Sequence, residues 1–525
     1  MNDDALAQVL IVGAGPTGLT LACDLARRGV TFRIIDKAPT YFVGSRGKAL
    51  QPRTLEVMDD LGVIGEVLAS GTKLPRLRVY VWRFKLHPYL ERHREPTPDV
   101  PYPNTWLIPQ WRTEEILRGR LAQHGLRVEL ATEITALAQD EDGVTATVVR
   151  DGAPEPIRAK YLVGADGGHS FVRDTLRIGF AGKTYETFRM LVGDVRVDGL
   201  TREHWHVWPK AKGGIFMLCP LPGTDTFQLQ AELPAAGRVP ELTETALQAF
   251  LAEAIGSRFG LQLRDQSWMS LYRPNVRMVS RYRVGRIFLA GDAAHVHPPT
   301  GGLGLNTGVQ DAYNLGWKLG EVLAGAPATL LDTYEEERWP IAASVLGISA
   351  NLFRRTFGNR FARLTSLRNF QRADTRQLGL HYRGLSLARG AHDSRARVRS
   401  GDRAPDAPCF DVRGAPGRLF DAFRGPHFTL LAFGARHAGR VAEVNARYGS
   451  TVRAYTIVGR GEAGGEHTLV DFGGRARAGY DVHGDGFILI RPDGYIGSIA
   501  RPGNLREFDD YLGSLTATPR RREKA

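Results

Sequence analysis

Asp292 and the glycines that follow it are the residues best placed to do chemistry in this chain. Within residues 286–311, the apolar run Ile287 to Ala290 predicts a short buried strand, and Gly291-Asp292 places one carboxylate at its end. Pro299 and a glycine-rich turn through Gly301, Gly302 and Gly304 come next, followed by Leu305, Asn306 and a segment with helical spacing. Such a layout offers an acceptor for hydroxyl groups, then a row of backbone N–H groups at a helix start, where partial positive charge gathers. The ligand it suits carries a polyol and an electron-rich, anionic end.

A second set of residues at the N-terminus points the same way. Val9 to Val12 reads as a buried strand, and Gly13-Ala14-Gly15-Pro16-Thr17-Gly18 follows at once. Leu19, Leu21, Ala22, Leu25 and Ala26 recur at helical spacing up to Gly29, and a further apolar strand, Thr31 to Ile35, ends in Asp36-Lys37. This is a βαβ unit with a glycine fingerprint and an acid about 20 residues on, the pattern of a dinucleotide site. Gly13 permits the tight turn, Gly15 lets backbone approach a pyrophosphate, and Gly18 lets helix and strand pack closely. Asp36 can accept from ribose hydroxyls. A flavin dinucleotide satisfies both this site and the Asp292 turn.

The elements that position these residues can be read along the chain. Gly44 to Asp60 ends in a helical pattern with Leu55, Met58 and Leu61 inward, and Arg46 and Arg53 lie before and at its start. Residues 77–82 alternate as a strand, and a Pro-rich loop runs to Pro103. Ile108-Pro109-Gln110 precedes a predicted helix over Thr113 to His124, with Glu114 and Glu115 near its start. Strands are expected around 126–138 and 143–150, joined by the turn Asp140 to Gly143. Tyr161 to Arg173 is again a buried strand ending in a carboxylate, Asp166, then glycines and a helix start containing Arg173.

From 186 to 274 the pattern is that of an antiparallel sheet with one face packed and one available, including strands at His204–Trp208, Gly214–Cys219 and Thr226–Leu233. Val309 to Ala324 and Leu331 to Ala350 read as helices, and 351–400 is Arg-rich with helical tendency. A new unit begins near Ser400, with strands at Phe428–Phe433, Val452–Ile457 and Phe487–Ile490 and a turn at Asp493-Gly494.

Bulk composition excludes several classes. A chain of 525 residues is too long for one core, so two or three domains are expected. Hydrophobic residues at 43% with 24% charged fit a globular protein in water, and no apolar run approaches a bilayer's thickness. The start Met-Asn-Asp-Asp has neither the basic beginning nor the apolar core of an export signal. Cys23, Cys219 and Cys409 are far apart and form no Cys-x-x-Cys, which argues against disulfide, zinc or dithiol chemistry and suits a reducing cytoplasm. The net charge of +13 is carried by scattered arginines, denser near 354–403 and at Arg520-Arg521-Arg522, without a nucleic-acid motif. It is read as a solvated surface with some attraction for anionic cofactors.

The three ordered motifs, Gly13–Gly18 with Asp36, Asp166-Gly167 to Arg173, and Gly291-Asp292 to Asp311, resemble those of the class A flavoprotein monooxygenases, which have the p-hydroxybenzoate hydroxylase fold. The resemblance covers residues 7–400; the C-terminal unit is similar to the thioredoxin-like domain of the phenol and polyketide hydroxylase branch. It implies an α/β fold with a Rossmann-like FAD-binding domain (1–75, 105–185 and 275–400), an antiparallel-sheet substrate domain (76–104 and 186–274) and a thioredoxin-like α/β domain at 401–525. Without Cys-x-x-Cys that last unit is expected to be redox-silent, structural or involved in subunit contacts, so a homo-oligomer is among the expected assemblies.

By the same resemblance Gly13, Gly15, Pro16, Thr17 and Gly18 hold the FAD pyrophosphate, and Asp36 and Lys37 lie at the adenosine ribose. Arg46 lies near the flavin, where it and the Pro299 backbone stand as catalytic candidates, and Gln110 contacts the cofactor. Asp166 and Arg173 belong to a shared FAD and NAD(P)H motif, and Gly291-Asp292 to the ribityl site. Pro299, Gly302, Gly304, Leu305 and Asn306 line the isoalloxazine. NADPH or NADH is a transient reductant with no dedicated domain, and O2 and a small aromatic molecule are the other partners. The implied activity is hydroxylation of a phenolic or polycyclic aromatic through a C4a-hydroperoxyflavin.

The substrate residues are read from the sheet alone. His206 and Trp208 share one strand face, Gln228 and Gln230 share another, and all four are pocket candidates. His295 and His297 lack a third ligand for a metal. Two further readings remain open: a Baeyer–Villiger or epoxidising flavoenzyme on a related polyketide-type or antibiotic substrate, and a non-catalytic FAD-binding protein.

Overall fold

The computed structural model describes residues 7–516 except 82–83, 187, 213, 235–238, 358–374, 391–395, 463 and 501–504. Its central feature is a parallel sheet in which the strands Phe32–Ile35, Ala7–Val12, Ala153–Gly164 and Ile287–Leu289 lie side by side. One row of paired residues, Ile35–Val12–Gly164–Leu289, ends all four. Parallel pairing therefore brings Asp36, Gly13, Asp166 and Asp292 to the same sheet edge, although they are far apart in the chain. Ligands of open α/β sheets bind outside that carboxyl edge. A hairpin of Thr132–Gln139 and Val144–Arg150 continues the sheet from the N-terminal half of Ala153–Gly164.

Helix Pro16–Arg27 packs on this sheet and against the long helix Leu303–Leu323, which begins inside the glycine-rich turn. Thr17 wedges between them: a Cβ on Gly291 or Gly308 would lie 2.5 or 2.4 Å from its Oγ1. A second sheet of seven strands is antiparallel except where His204–Ala211 runs parallel to Arg76–Val81. Helix Glu244–Ile255 covers one face, packing Leu247 and Leu251 over Leu191, Val195, Phe216 and Leu229. The other face turns toward the carboxyl edge of the parallel sheet.

The C-terminal unit is a thioredoxin-like α/β layer. Phe428–Phe433 runs parallel to Val452–Val458 and antiparallel to Gly486–Ile490 within an eight-stranded sheet. Helices Ala438–Tyr448 and Leu505–Leu515 pack on one face, in a core that also takes in Trp317, Ala326 and Leu330 of the parallel-sheet domain. Beside that shared core lies a buried ionic cluster. Glu337 pairs with Lys318 at 2.7 Å and with Arg491 at 2.5 Å, and Arg491 also reaches Asp493 at 2.5 Å. Burial pushes the Glu337 carboxyl up, but Arg491 and Lys318 together outweigh it and hold it low. Burial likewise pulls the Lys318 ammonium down to about 8.

Several expected boundaries shift. The helix expected at Thr113 starts at Gln110, so Glu114 sits in its second turn and not at its start. The strand expected from 126 begins at Thr132. The helix expected from Val309 begins at Leu303, because Gly301 (φ 86°) and Gly302 (φ 60°) turn the chain directly into it. The helical tendency expected across 351–400 is met over 351–357; 358–374 and 391–395 lie outside the described residues, and 375–390 form turns and a two-residue strand. Arg520-Arg521-Arg522 also lie outside them.

The ionic cluster makes a testable statement. Removing one member of a buried pair strands the others without compensation, which costs about 3–5 kcal/mol. Glu337→Gln is expected to lower the free energy of unfolding by that amount in a urea titration, with Lys318 and Arg491 left facing a neutral amide.

Candidate active site

The carboxyl edge of the parallel sheet and the open face of the antiparallel sheet enclose one cavity of about 2210 Å³. That exceeds the roughly 300–1,000 Å³ of a single small-molecule site, so it has room for two ligands. Two helix N-termini open into it. Helix Pro16–Arg27 starts at Gly15 and helix Leu303–Leu323 at Gly302, and neither has a side-chain cap. The first-turn N–H groups of both helices are thus left for a ligand, with the helix dipoles favouring negative charge.

The fingerprint glycines divide by geometry. Gly13 has φ +103°, and a Cβ there would lie 2.4 Å from Ala165 O; one on Gly18 would lie 1.9 Å from Gly13 O. These two allow strand, turn and helix to close on one another. Gly15 differs: a Cβ there meets no protein atom within 4 Å, and the residue lines the cavity. Its bareness leaves space for something that is not protein.

Three carboxylates stand at the strand ends. Asp36 accepts from Ala14 N at 2.8 Å and Ala38 N at 2.9 Å, which braces the fingerprint turn and leaves further acceptor capacity toward the cavity. Asp166 accepts from Ser170 Oγ at 2.6 Å and Val172 N at 3.2 Å. Asp292 is exposed to the cavity it lines, and among the described residues no hydrogen bond engages its carboxylate. Burial raises its carboxyl, with His295 and Arg46 opposing in part.

Beneath the glycine turn lies a buried chain of bonds. Asp311 Oδ2 accepts from Gly291 N at 3.2 Å and is 2.6 Å from His295 Nε2, and its Oδ1 accepts from Arg338 Nε at 2.8 Å. His295 Nδ1 faces His297 Nε2 at 3.0 Å, and His297 Nδ1 faces Ser349 Oγ at 3.2 Å. Both histidines are thus engaged in hydrogen bonds.

Most residues singled out from the sequence reach the cavity wall: Gly13, Gly15, Pro16, Thr17, Asp36, Lys37, Arg46, Gln110, Asp166, Asp292, Pro299, Gly302, Gly304, Leu305, Gln228 and Gln230. Arg46 lies over the rings of Phe42 and Trp268, at 4.8 and 5.9 Å from their centroids. Gln110 Oε1 accepts from Gly47 N at 2.8 Å, and its Nε2 donates to Glu114 Oε1 at 2.8 Å.

Four other residues stand behind the wall. Gly18 and Gly291 are packing positions. Arg173 donates to Gly168 O at 3.0 Å and Ala293 O at 3.3 Å, clipping two strand-end loops together. Asn306 accepts from Gln51 N at 2.8 Å and donates to Ala49 O at 3.0 Å and Gly302 O at 2.6 Å, so it closes the glycine turn.

His206 and Trp208 correct the sequence reading. The row Gln230–Met217–Val207 lies on the cavity face, so the adjacent row, Leu229–Leu218–His206, lies on the other. There His206 faces the Tyr80 hydroxyl through Nδ1 at 2.8 Å and Thr201 O through Nε2 at 2.8 Å, and Trp208 stacks on Tyr80 with centroids 4.5 Å apart. The two pairs of candidates face opposite ways; Trp205, Val207 and Pro209 take the cavity positions instead. Sequence reasoning also passed over Lys48, Gln51, Glu114 and Asp194. Lys48 and Glu114 stand among other polar residues in the sequence, and only their enclosure marks them out.

A cavity fed by two uncapped helix starts, with a free carboxylate beyond one strand end and a bare glycine at another, defines a dinucleotide-dependent enzyme whose substrate lies on an adjoining sheet. The donor set fits FAD: N–H groups for phosphates, an acceptor for the ribityl hydroxyls and a glycine-lined slot for a flat ring. The family model described as FAD binding domain matches residues 6–349, and the chain belongs to that family, as a flavin-dependent aromatic monooxygenase with FAD as cofactor. It is 46% identical over 97% of its length to a flavin-dependent monooxygenase of Mycobacteroides abscessus, covering 99% of that protein. It is 35% identical to the 6-methylpretetramide 4-monooxygenase of Streptomyces rimosus, covering 98% of this chain and 94% of the relative. The ternary complex of aklavinone-11 hydroxylase with FAD and aklavinone superposes with a TM-score of 0.80 at 28% identity, covering 98% of this chain and 99% of that one.

Two predictions follow from the site. Because a Cβ at position 15 is tolerated by the protein but occupies the cavity wall, Gly15→Val is expected to fold with an unchanged melting temperature as apoprotein and to purify colourless. Absorbance of the purified protein measures this.

Glu114 is a pH-sensitive group of the wall: burial pushes its carboxyl up to about 7, with Gln110 and Arg118 opposing. A carboxyl raised on folding makes the native state hold more protons than the unfolded one, so stability falls as pH rises from the ordinary carboxyl value of 4.5 through 7. At pH 8 the loss is about 3 kcal/mol. Glu114→Gln is expected to remove it, so that the stability difference between variant and native protein grows over that range in urea titrations.

Proposed function

We propose that this chain hydroxylates a phenolic, polycyclic small molecule on the open sheet face, consuming NADPH or NADH and O2. The observation that carries the reading is the single cavity in which two uncapped helix starts and the Gln228–Gln230 face meet. Bound FAD supplies the redox chemistry, accepting hydride from the nicotinamide and passing one oxygen atom of O2 to the ring, which side chains cannot do themselves.

The protein's part is position, charge and dryness. Gly13 to Gly18 hold the pyrophosphate against the first helix, and Asp36 with Lys37 takes the adenosine ribose. Asp292 takes the ribityl hydroxyls. Pro299 and the backbone from Gly302 to Leu305 form the ring slot, where the second helix start favours an electron-rich edge. Asn306 and Arg173 hold those loops in place, and Gly18 and Gly291 let them pack. Arg46 and Gln110 stand at the mouth beside them, and Asp166 shapes the neighbouring loop. The apolar wall of Trp205, Val207 and Met217 keeps water from the reacting ring.

The names of the relatives, which pair hydroxylation with aklavinone and oxygenation with pretetramide, support a fused aromatic substrate. The three units fall within 1–75, 105–185 and 275–400 for FAD, 76–104 and 186–274 for substrate, and 401–525 for the thioredoxin-like domain. Three buried, separated thiols fit a cytoplasmic setting, and among the described residues no helix is long and apolar enough to cross a membrane. The C-terminal unit offers a surface for a second copy of the chain.

Anaerobic NADPH or NADH is expected to bleach the flavin, and a productive phenol to speed bleaching by about tenfold or more, a barrier change of about 1.4 kcal/mol. Labelled O2 is then expected to appear as one added oxygen on the ring. Flavin that no phenol helps either nucleotide to reduce overturns the reading, and oxygen inserted beside a ketone or across an alkene replaces it with the Baeyer–Villiger or epoxidising alternative.

A further inference from the structure

The sheet-side end of the cavity contains a polar cluster built around Lys48. Its backbone is fixed where Ile108 N donates to Lys48 O at 2.9 Å, and its neighbour Gly47 packs against Leu305 of the glycine turn. Lys48 Nζ donates to Gln228 Oε1 at 2.5 Å and lies 4.0 Å from the centroid of the Trp205 ring. Gln228 is itself locked: its Nε2 donates to Ser45 O, and its Oε1 also accepts from Gln230 Nε2 at 3.0 Å.

Among the described residues no carboxylate lies within 4.0 Å of Nζ. The titratable groups that face it are Cys219 on the strand Gly214–Pro220 and Asp194 on Arg189–Asp198, both buried. Asp194 is faced by Ser45, and burial pushes its carboxyl up to about 6 against the pull of Ser45 and Lys48. Burial pulls the Lys48 ammonium below its ordinary range, with Cys219 and Asp194 opposing in part. The Lys48 amino group thus faces the substrate space with one N–H held by Gln228 and with no carboxylate in direct contact, its nearest acid being Asp194.

We propose that Lys48 is the proton acceptor and anion anchor for the substrate's phenolic hydroxyl. The phenol O–H bond breaks and its electron pair stays on oxygen. The amine lone pair forms the new N–H bond, and the resulting ammonium and phenolate remain paired beside Trp205. No electrons are exchanged with the flavin in this step. A phenolate is richer in electrons at its ring carbons than the phenol, so the step prepares the ring for electrophilic oxygen. Gln228 is the positioning residue, since it aims the amine without touching the reacting atoms.

The inference rests on the hydroxylase reading and is tested with a probe that reports protonation by colour. Quinizarin, a dihydroxyanthraquinone, is orange when neutral and violet as its anion. Titrated against oxidised holoprotein, it is expected to bind in the violet form, with its ionisation midpoint about one pH unit or more below that of the free dye, a tenfold change in ionised fraction. Lys48→Met with native flavin content is expected to bind it orange, with the shift lost. Should that variant fail to hold flavin, Lys48→Gln, which keeps a donor toward Gln228 but cannot take a proton, gives the same comparison.

A native protein that binds the dye orange or not at all, or variants that bind it violet with the native midpoint, overturns the assignment. The same samples separate the two readings. Violet binding without faster flavin reduction removes the hydroxylase reading and keeps the anchor. Faster reduction with an unshifted dye in native protein and variants alike does the reverse.

Discussion

Asp311 is the interaction on which the site depends. Its carboxylate is wholly buried and ties together three parts of the chain: the loop after strand Ile287–Leu289 through Gly291 N, the histidine pair through His295, and helix Asp332–Phe357 through Arg338. Burial would push such a carboxyl up, yet His295 and Arg338 together hold it low. Because Gly291 immediately precedes Asp292, the position of the free carboxylate in the cavity is inherited from the buried one behind it.

That brace extends into the C-terminal unit. Arg338 Nη1 donates to the Tyr382 hydroxyl at 3.0 Å, and the Tyr382 ring lies 4.3 Å from that of Tyr495. Asn314, one turn along from Asp311, donates to Glu337 at 2.8 Å and Asp493 at 3.1 Å. The flavin-side turn and the thioredoxin-like layer are therefore linked by continuous contact between polar side chains, with Trp317 set edge-on to Phe428 in the shared core. Such a cluster is weak as a source of stability compared with an apolar core, but it is strict about geometry.

The chemistry at the strand ends was readable from sequence because each apolar run stops at a residue with a physical reason to be there: Gly13, Asp36, Asp166 and Asp292. Parallel pairing then brings them together, and a buried parallel sheet leaves little choice in that pairing. What could not be read was orientation in the antiparallel sheet. Alternation shows that His206 and Trp208 share a side, but which side depends on the row they join in the next strand, and that is set by distant residues. Lys48 and Glu114 were hidden for a similar reason, since their neighbours come from other elements. The early start of helix Gln110–Gln123 escaped notice because Pro109 precedes it without a capping side chain.

The shared ionic cluster bears on how this protein can change over time. Lys318 and Glu337 come from the flavin-side helices and Arg491 and Asp493 from the last layer, so the two sets must vary together. A recombinant joined near residue 400, carrying its final layer from a relative with different charges at this seam, would inherit stranded ions in a dry interior. Exchange of the terminal layer as an independent module is thereby closed off, and diversification is channelled to the sheet face that meets the substrate.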